Sequence, residues 1–126
     1  MKIYLSAPYS HPDPKIRESR FRAACIAAGK LIQQGHVVYS SLSHSHPIAI
    51  HSRLPLGWEY WQGVDEFFIS VCDEVWVLCS DGWEDSVGIK GEIEIARKLK
   101  KPIRTLNYQG KFLKASLSVV VPPAVS

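Results

Sequence analysis

Glu92 and Asp65 are the residues of this chain best placed to do chemistry, because the pattern around each puts a carboxylate on an apolar helix face. Residues 86–99 read as a helix that follows a glycine-bearing turn. Positions three, four and seven apart share a helix face, so Glu92 aligns with Ile95, Ala96 and Leu99, the side expected to pack on a sheet. Glu94 aligns instead with Arg97 and Lys98 and reads as an ordinary solvated charge. Asp65 lies on a second stripe with Trp61, Phe68 and Cys72. A carboxylate aimed inward must be paired, hydrogen-bonded or functional. The plainer alternative for Glu92 is a residue that caps its own helix or pairs with a hidden arginine. In the first helical turn the macrodipole would favour the ionised form, which suits a nucleophile or base. Two carboxylates in different environments are what cleavage of a glycosidic bond requires. One attacks or stabilises the electron-poor anomeric carbon, and the other handles the leaving group.

The surrounding pattern supplies the scaffold. Residues 2–7 form an apolar first strand that ends at Pro8, and Pro12, Asp13 and Pro14 open a helix whose apolar positions run from Phe21 to Ile32. Gly35 stops it, as a glycine just past a helix end does. Residues 36–41 read as a second strand, followed by a polar, histidine-rich loop to about Leu56. Residues 57–72 form the Asp65 helix, 74–79 a third strand, 80–86 a loop, 102–107 a fourth strand, and 117–121 a candidate fifth. Strands alternating with helices predict an α/β fold: a flavodoxin- or Rossmann-like, doubly wound parallel sheet of four to five strands in a three-layer α/β/α sandwich. Ligands of such sheets bind beyond the carboxyl ends of the strands. Here those ends are residues 6–10, 40–47 and 80–86, where the polar residues of the chain gather.

Composition bounds the rest. With 126 residues the chain fits one domain, 1–126, that can bury a core without disulfides or metal. A net charge of +3 without a basic stripe gives no footprint for nucleic acid. Three cysteines, Cys25, Cys72 and Cys79, have no metal-type spacing and fit a reducing cytoplasm. Neither a signal peptide nor an apolar run of membrane-spanning length is expected.

Three strings then carry a family resemblance: Tyr4-Leu-Ser-Ala-Pro8, Asp65 eight residues before Asp73-Glu-Val-Trp-Val, and Ser86-x-Gly88-x-x-x-Glu92-Ile-x-x-Ala96. Their order and spacing resemble the nucleoside 2-deoxyribosyltransferase superfamily, which includes N-glycosidases of nucleoside 5′-monophosphates. The resemblance implies that Glu92 is the nucleophile that attacks C1′. It implies that Tyr4 orients Glu92, that Asp65 contacts the departing base and assists it, and that Gly88 lets the backbone approach the ligand. Ser86 stands where the monophosphate hydrolases have serine and the transferases tend to have an acid. A hydroxyl at a helix N-terminus suits a phosphate, although serine is also a favoured N-cap. The arginine that the hydrolases carry after strand 1 is missing from Ala7-Pro8-Tyr9-Ser10, leaving Ser10, Arg17 or Arg20 as substitutes. The strings Ala7-Pro-Tyr-Ser-His-Pro12, Ser43-His-Ser-His-Pro47 and Gly82-Trp-Glu-Asp-Ser86 are similar to an uncharacterised bacterial and phage branch.

His44 and His46 on an extended segment would share a face and invite zinc, but a third ligand would have to come from His51 or elsewhere. Nothing in the family chemistry needs a metal, and no cofactor is expected. His46 fits better as a cleft residue touching base or sugar, with a solvated loop histidine as the alternative. Trp58, Tyr60, Trp61 and Trp83 could stack on a base; Trp83 is the preferred candidate, while Trp61 and Trp76 read as core. The substrate-binding set is then Ser6, Ala7, Pro8, Ser10, His46, Trp83, Ser86 and Gly88. The expected activity is cleavage of the N-glycosidic bond of a nucleoside or its 5′-monophosphate. Base exchange, a non-catalytic nucleotide sensor and a histidine-metal hydrolase are the alternatives. The expected partners are a small nucleoside or nucleotide and a second copy in a homodimer or larger assembly, with neither membrane nor nucleic acid.

Overall fold

The computed structural model describes residues 1–109 and 116–120. Five strands, β1 (Lys2–Ser6), β2 (Val37–Ser40), β3 (Glu74–Cys79), β4 (Ile103–Gln109) and β5 (Ser116–Val120), form one sheet in the order β2-β1-β3-β4-β5. The first four strands are parallel, and β5 runs antiparallel to β4. An antiparallel neighbour, unlike a parallel one, does not require a helical crossover. The expected all-parallel sheet is corrected at that one strand.

Four helices, α1 (Pro14–Gln33), α2 (Ser41–Ser52), α3 (Trp58–Val71) and α4 (Val87–Lys98), complete the α/β fold. Side chains alternate across β1 and β3. Ile3, Leu5, Trp76 and Leu78 pack with Ala24, Ala27 and Leu31 of α1 and Leu42 of α2 on one face. Tyr4, Val75 and Val77 pack with Ile69 of α3 and Ile89 and Ala96 of α4 on the other. The lower end of the sheet is tied by Glu74, whose buried carboxylate accepts from Trp76 Nε1 and Arg104 Nε, each at 2.8 Å.

Helix α2 replaces the loop expected between Ser41 and Leu56. Ser40 caps it by accepting from the Ser43 amide, and Leu42, His46 and Ala49 recur on its buried side. The histidines and the internal Pro47 disguise this pattern. Pro47 lacks the N–H that would reach back to Ser43, yet the helix continues through it. Helix α1 begins as its residues predict, with the Asp13 side chain capping Lys15 N and Pro14 at the first helical position. Gly35 follows its end with φ +96°, a conformation that favours glycine.

Helices α3 and α4 meet where Trp58 lies over Gly91. A Cβ on Gly91 would collide with the indole ring, whereas Gly63 on α3 faces open space. Gly91→Ala should cost roughly 1–3 kcal/mol by overpacking. Gly63→Ala should gain up to about 1 kcal/mol from helix propensity. Chemical denaturation of the two variants beside wild type reads both signs.

Candidate active site

Tyr4 and Ser6 are two apart on β1 and therefore point to the same face, at the place where the strand order reverses between β1 and β3. Glu92 comes down onto them from α4. The Tyr4 hydroxyl donates to Glu92 Oε2, and Ser6 Oγ donates to Oε1 at 2.8 Å. Ser41 Oγ, at the start of α2, lies 3.3 Å from Oε2 and 3.4 Å from the Leu5 carbonyl. Glu92 is only 3% exposed, and Tyr4 and Ser6 are fully buried.

Above this floor opens a cleft. Ala7 and Ser10 line it from the β1–α1 loop, Ser41 and Ser45 from α2, Trp58, Trp61 and Asp65 from α3, and Ser86 and Gly88 from α4. Ser86 is the N-cap of α4, its Oγ accepting from Ile89 N at 3.1 Å. That bond uses a lone pair and leaves the hydroxyl hydrogen for a ligand. Gly88 sits in the first turn of α4 rather than in a turn before it. A Cβ there would stand in ordinary contact with Glu92 Oε1, at 3.9 Å, and Ser86 Oγ, at 3.8 Å.

Glu92 differs from expectation in its charge. It is the sixth residue of α4, a turn deeper than expected, where the pull of the helix N-terminus has faded. Burial pushes its pKa up to about 8, and the nearby Asp65 carboxylate pushes the same way, against hydrogen bonds from Tyr4, Ser6 and Ser41. Asp65 is also raised by burial, to about 6, with a hydrogen bond from Tyr4 opposing. Burial holds the pKa of the Tyr4 hydroxyl well above the ordinary value, and the Glu92 and Asp65 carboxyls push it the same way. The helix face is also shifted: Ile89, Glu92 and Ala96 are buried, while Leu99 forms the C-cap and is exposed.

Three of the expected residues lie elsewhere. Pro8 is fully buried beneath the loop. His46 is buried on α2, bonded to Tyr9 and Glu18, and does not reach the cleft. Trp83 sits in a 3-10 turn (Trp83–Asp85) and packs on the core beside α4, so the aromatic walls of the cleft are Tyr9, Trp58 and Trp61. Arg17 donates to the carbonyls of His11 and Pro12. Arg20 donates to those of Tyr9 and Ser10. The Arg20 guanidinium also lies under Gly82 and 3.9 Å from Asp81, which straps the β1–α1 loop to the β3–α4 loop. His44 pairs with the Tyr39 hydroxyl, away from His46. Among the described residues no three His, Cys, Asp or Glu side chains gather as metal ligands, and no helix is long and apolar enough to cross a membrane. Ser41 and Tyr9 were not singled out as site residues. Ser41 read as the end of a strand, although its place at a strand's carboxyl end was a usable signal.

Residues 1–108 match the family described as a domain of unknown function, DUF1937. The chain belongs to that family. No curated protein matches it. Among solved structures, it is similar to a 2-deoxyribosyltransferase from the psychrotolerant bacterium Bacillus psychrosaccharolyticus. The two superpose with a TM-score of 0.60 at 22% identity, covering 90% of this chain and 77% of that one. The likeness establishes for this DUF1937 chain the same Rossmann-like fold.

A group whose folded pKa is raised adds a stability that is complete below its unfolded pKa and is lost as pH rises through the folded value. For Glu92 that window runs from about 4.5 to about 8. Wild type should therefore lose stability across it relative to Glu92→Gln, by on the order of a few kcal/mol. Thermal melts of both proteins at intervals from pH 4 to 9 give the difference. Parallel curves would mean that Glu92 titrates normally.

Proposed function

We propose that this protein cleaves the N-glycosidic bond of a nucleoside or nucleoside 5′-monophosphate, with Glu92 attacking C1′. The observation that carries the reading is the Glu92 carboxyl itself. It is buried at the switch point of the sheet and held by three hydroxyls, beside a cleft that Ser41, Gly88 and Asp65 line. Attack requires the ionised carboxylate, and the departing base requires a proton. Tyr4 keeps the Glu92 oxygen aligned while Asp65 serves the leaving base. The ribosyl-enzyme ester is then resolved by water or by another base. Base exchange is the second reading, supported by the likeness of fold to the bacterial 2-deoxyribosyltransferase. The reading includes a homo-oligomer, with the exposed apolar stripe Tyr60, Val64, Phe67 and Val71 of α3 as the surface a second copy would cover. It also includes a cytoplasmic setting, supported by three free cysteines.

Release of free base from a panel of nucleosides and 5′-monophosphates, followed by chromatography, tests the activity. Glu92→Ala should lower the rate by on the order of a thousandfold or more. Glu94→Ala, on the exposed side of α4, should stay near wild type. Equal effects would remove Glu92 from the nucleophile's role, and no release by wild type from any substrate would leave the cleft as a binding site only.

Ser86 separates the two substrate classes. Beside a phosphate, Ser86→Asp sets like charges together and removes a hydrogen bond, together worth roughly 2–4 kcal/mol. The kcat/KM for a monophosphate should fall by about thirty- to a thousandfold, while its own nucleoside is spared. A wild type that prefers the nucleoside, with a ratio unchanged by Ser86→Asp, would put base exchange first and leave Ser86 as a helix cap.

A further inference from the structure

Two strings that the catalytic reading leaves unused, Ala7-Pro-Tyr-Ser-His-Pro12 and Ser43-His-Ser-His-Pro47, meet through a single contact. Tyr9 Oη lies 2.6 Å from His46 Nδ1, and His46 Nε2 lies 2.9 Å from Glu18 Oε2. Because the Glu18 carboxylate accepts only, Nε2 carries the hydrogen, and in the neutral imidazole Nδ1 accepts from the Tyr9 hydroxyl. The Phe21 ring lies along the His46 ring, with centroids 4.5 Å apart, and fixes its plane. At the other end of the residue, Arg20 Nη1 holds the carbonyls of Tyr9, at 3.5 Å, and Ser10, at 2.8 Å. Tyr9 is thus tethered at both its backbone and its hydroxyl, while the residue lines the cleft that Trp58, Trp61 and Asp65 also line. A loop aromatic held in this way is preorganised: its side chain is anchored at both ends, and less ordering remains to be done when a flat ligand arrives.

We propose that Tyr9 is a specificity residue of the cleft, a ring on which the aromatic base of the ligand stacks, and that His46 and Glu18 are positioning residues that hold that ring. The inference rests on the nucleoside reading. It adds a discrimination that Glu92 and Asp65 do not supply, between ligands that carry a flat base and sugars that carry none.

The test measures binding of free adenine, free cytosine and methyl riboside, a sugar without a base, by NMR titration of wild type and variants. Tyr9→Leu should weaken the bases roughly ten- to a hundredfold and leave methyl riboside unchanged. His46→Ala should weaken the bases about three- to tenfold, and the double variant should bind them no worse than Tyr9→Leu alone, because His46 acts through Tyr9. Should His46→Ala fail to fold, Glu18→Ala, at a half-exposed carboxylate, carries the same comparison. Equal losses for base and sugar, or bases bound by Tyr9→Leu as by wild type, overturn the stacking role while the nucleoside reading stands. A wild type that binds neither bases nor nucleosides overturns the nucleoside reading itself, and this inference with it.

Discussion

The burial of one carboxyl group organises this molecule. An isolated ionised carboxylate in a dry interior would cost far more than the fold can supply, whereas a protonated or fully hydrogen-bonded one can be held. Three hydroxyls meet that requirement, two from one strand and one from the start of a helix. Tyr4 and Ser6 reach Glu92 because alternate residues of β1 share a face. Ser41 reaches it because α2 begins where β2 ends. The carboxyl arrives on α4, whose start is fixed by the Ser86 cap. Any shift in strand register or helix phase would separate donors from acceptor, so the site and the β1–β3 region of the sheet are specified together.

The same burial decides how protons are distributed. Burial raises both carboxyls, Glu92 to about 8 and Asp65 to about 6, so Glu92 holds its proton to higher pH than Asp65 does. Glycosidic cleavage needs the reverse: a charged Glu92 and a proton near the base. The Tyr4 hydroxyl donates to Glu92 and also lowers the pKa of Asp65 against its burial. The resting site is thereby kept from holding two negative charges, which eases the entry of an anionic or electron-rich ligand.

Much of this was legible in the chain. Strand and helix order, the inward aim of Glu92 and Asp65, and the Asp13, Gly35 and Ser86 boundaries follow from periodicity and capping. Helix α2 was hidden because serine, histidine and proline outweigh the sparse apolar positions Leu42 and Ala49, and burial of His46 supplies the third. The antiparallel turn of β5 depends on a chain reversal with no distinctive residue pattern. Protonation of Glu92 escaped because a helix terminus can be read locally, while desolvation is the sum of every neighbour. The exchange of Trp83 for Trp58 as a cleft wall has a similar origin. Both are aromatic and precede a site segment, but only Trp58 is directed by a contact, with Gly91, from another helix.

Arg20 has a mechanical consequence. By binding the Tyr9 and Ser10 carbonyls while lying under Gly82 and beside Asp81, it joins the two loops that rise from β1 and β3. Those two lips of the cleft move as one body. Gly82, at φ +85° and pressed by the guanidinium, has no room for a side chain that would loosen them. The opposite rim is the connection of residues 53–57 between α2 and α3, which places Leu56 and Gly57 beside the helix end that carries Trp58, and Arg20 does not reach it.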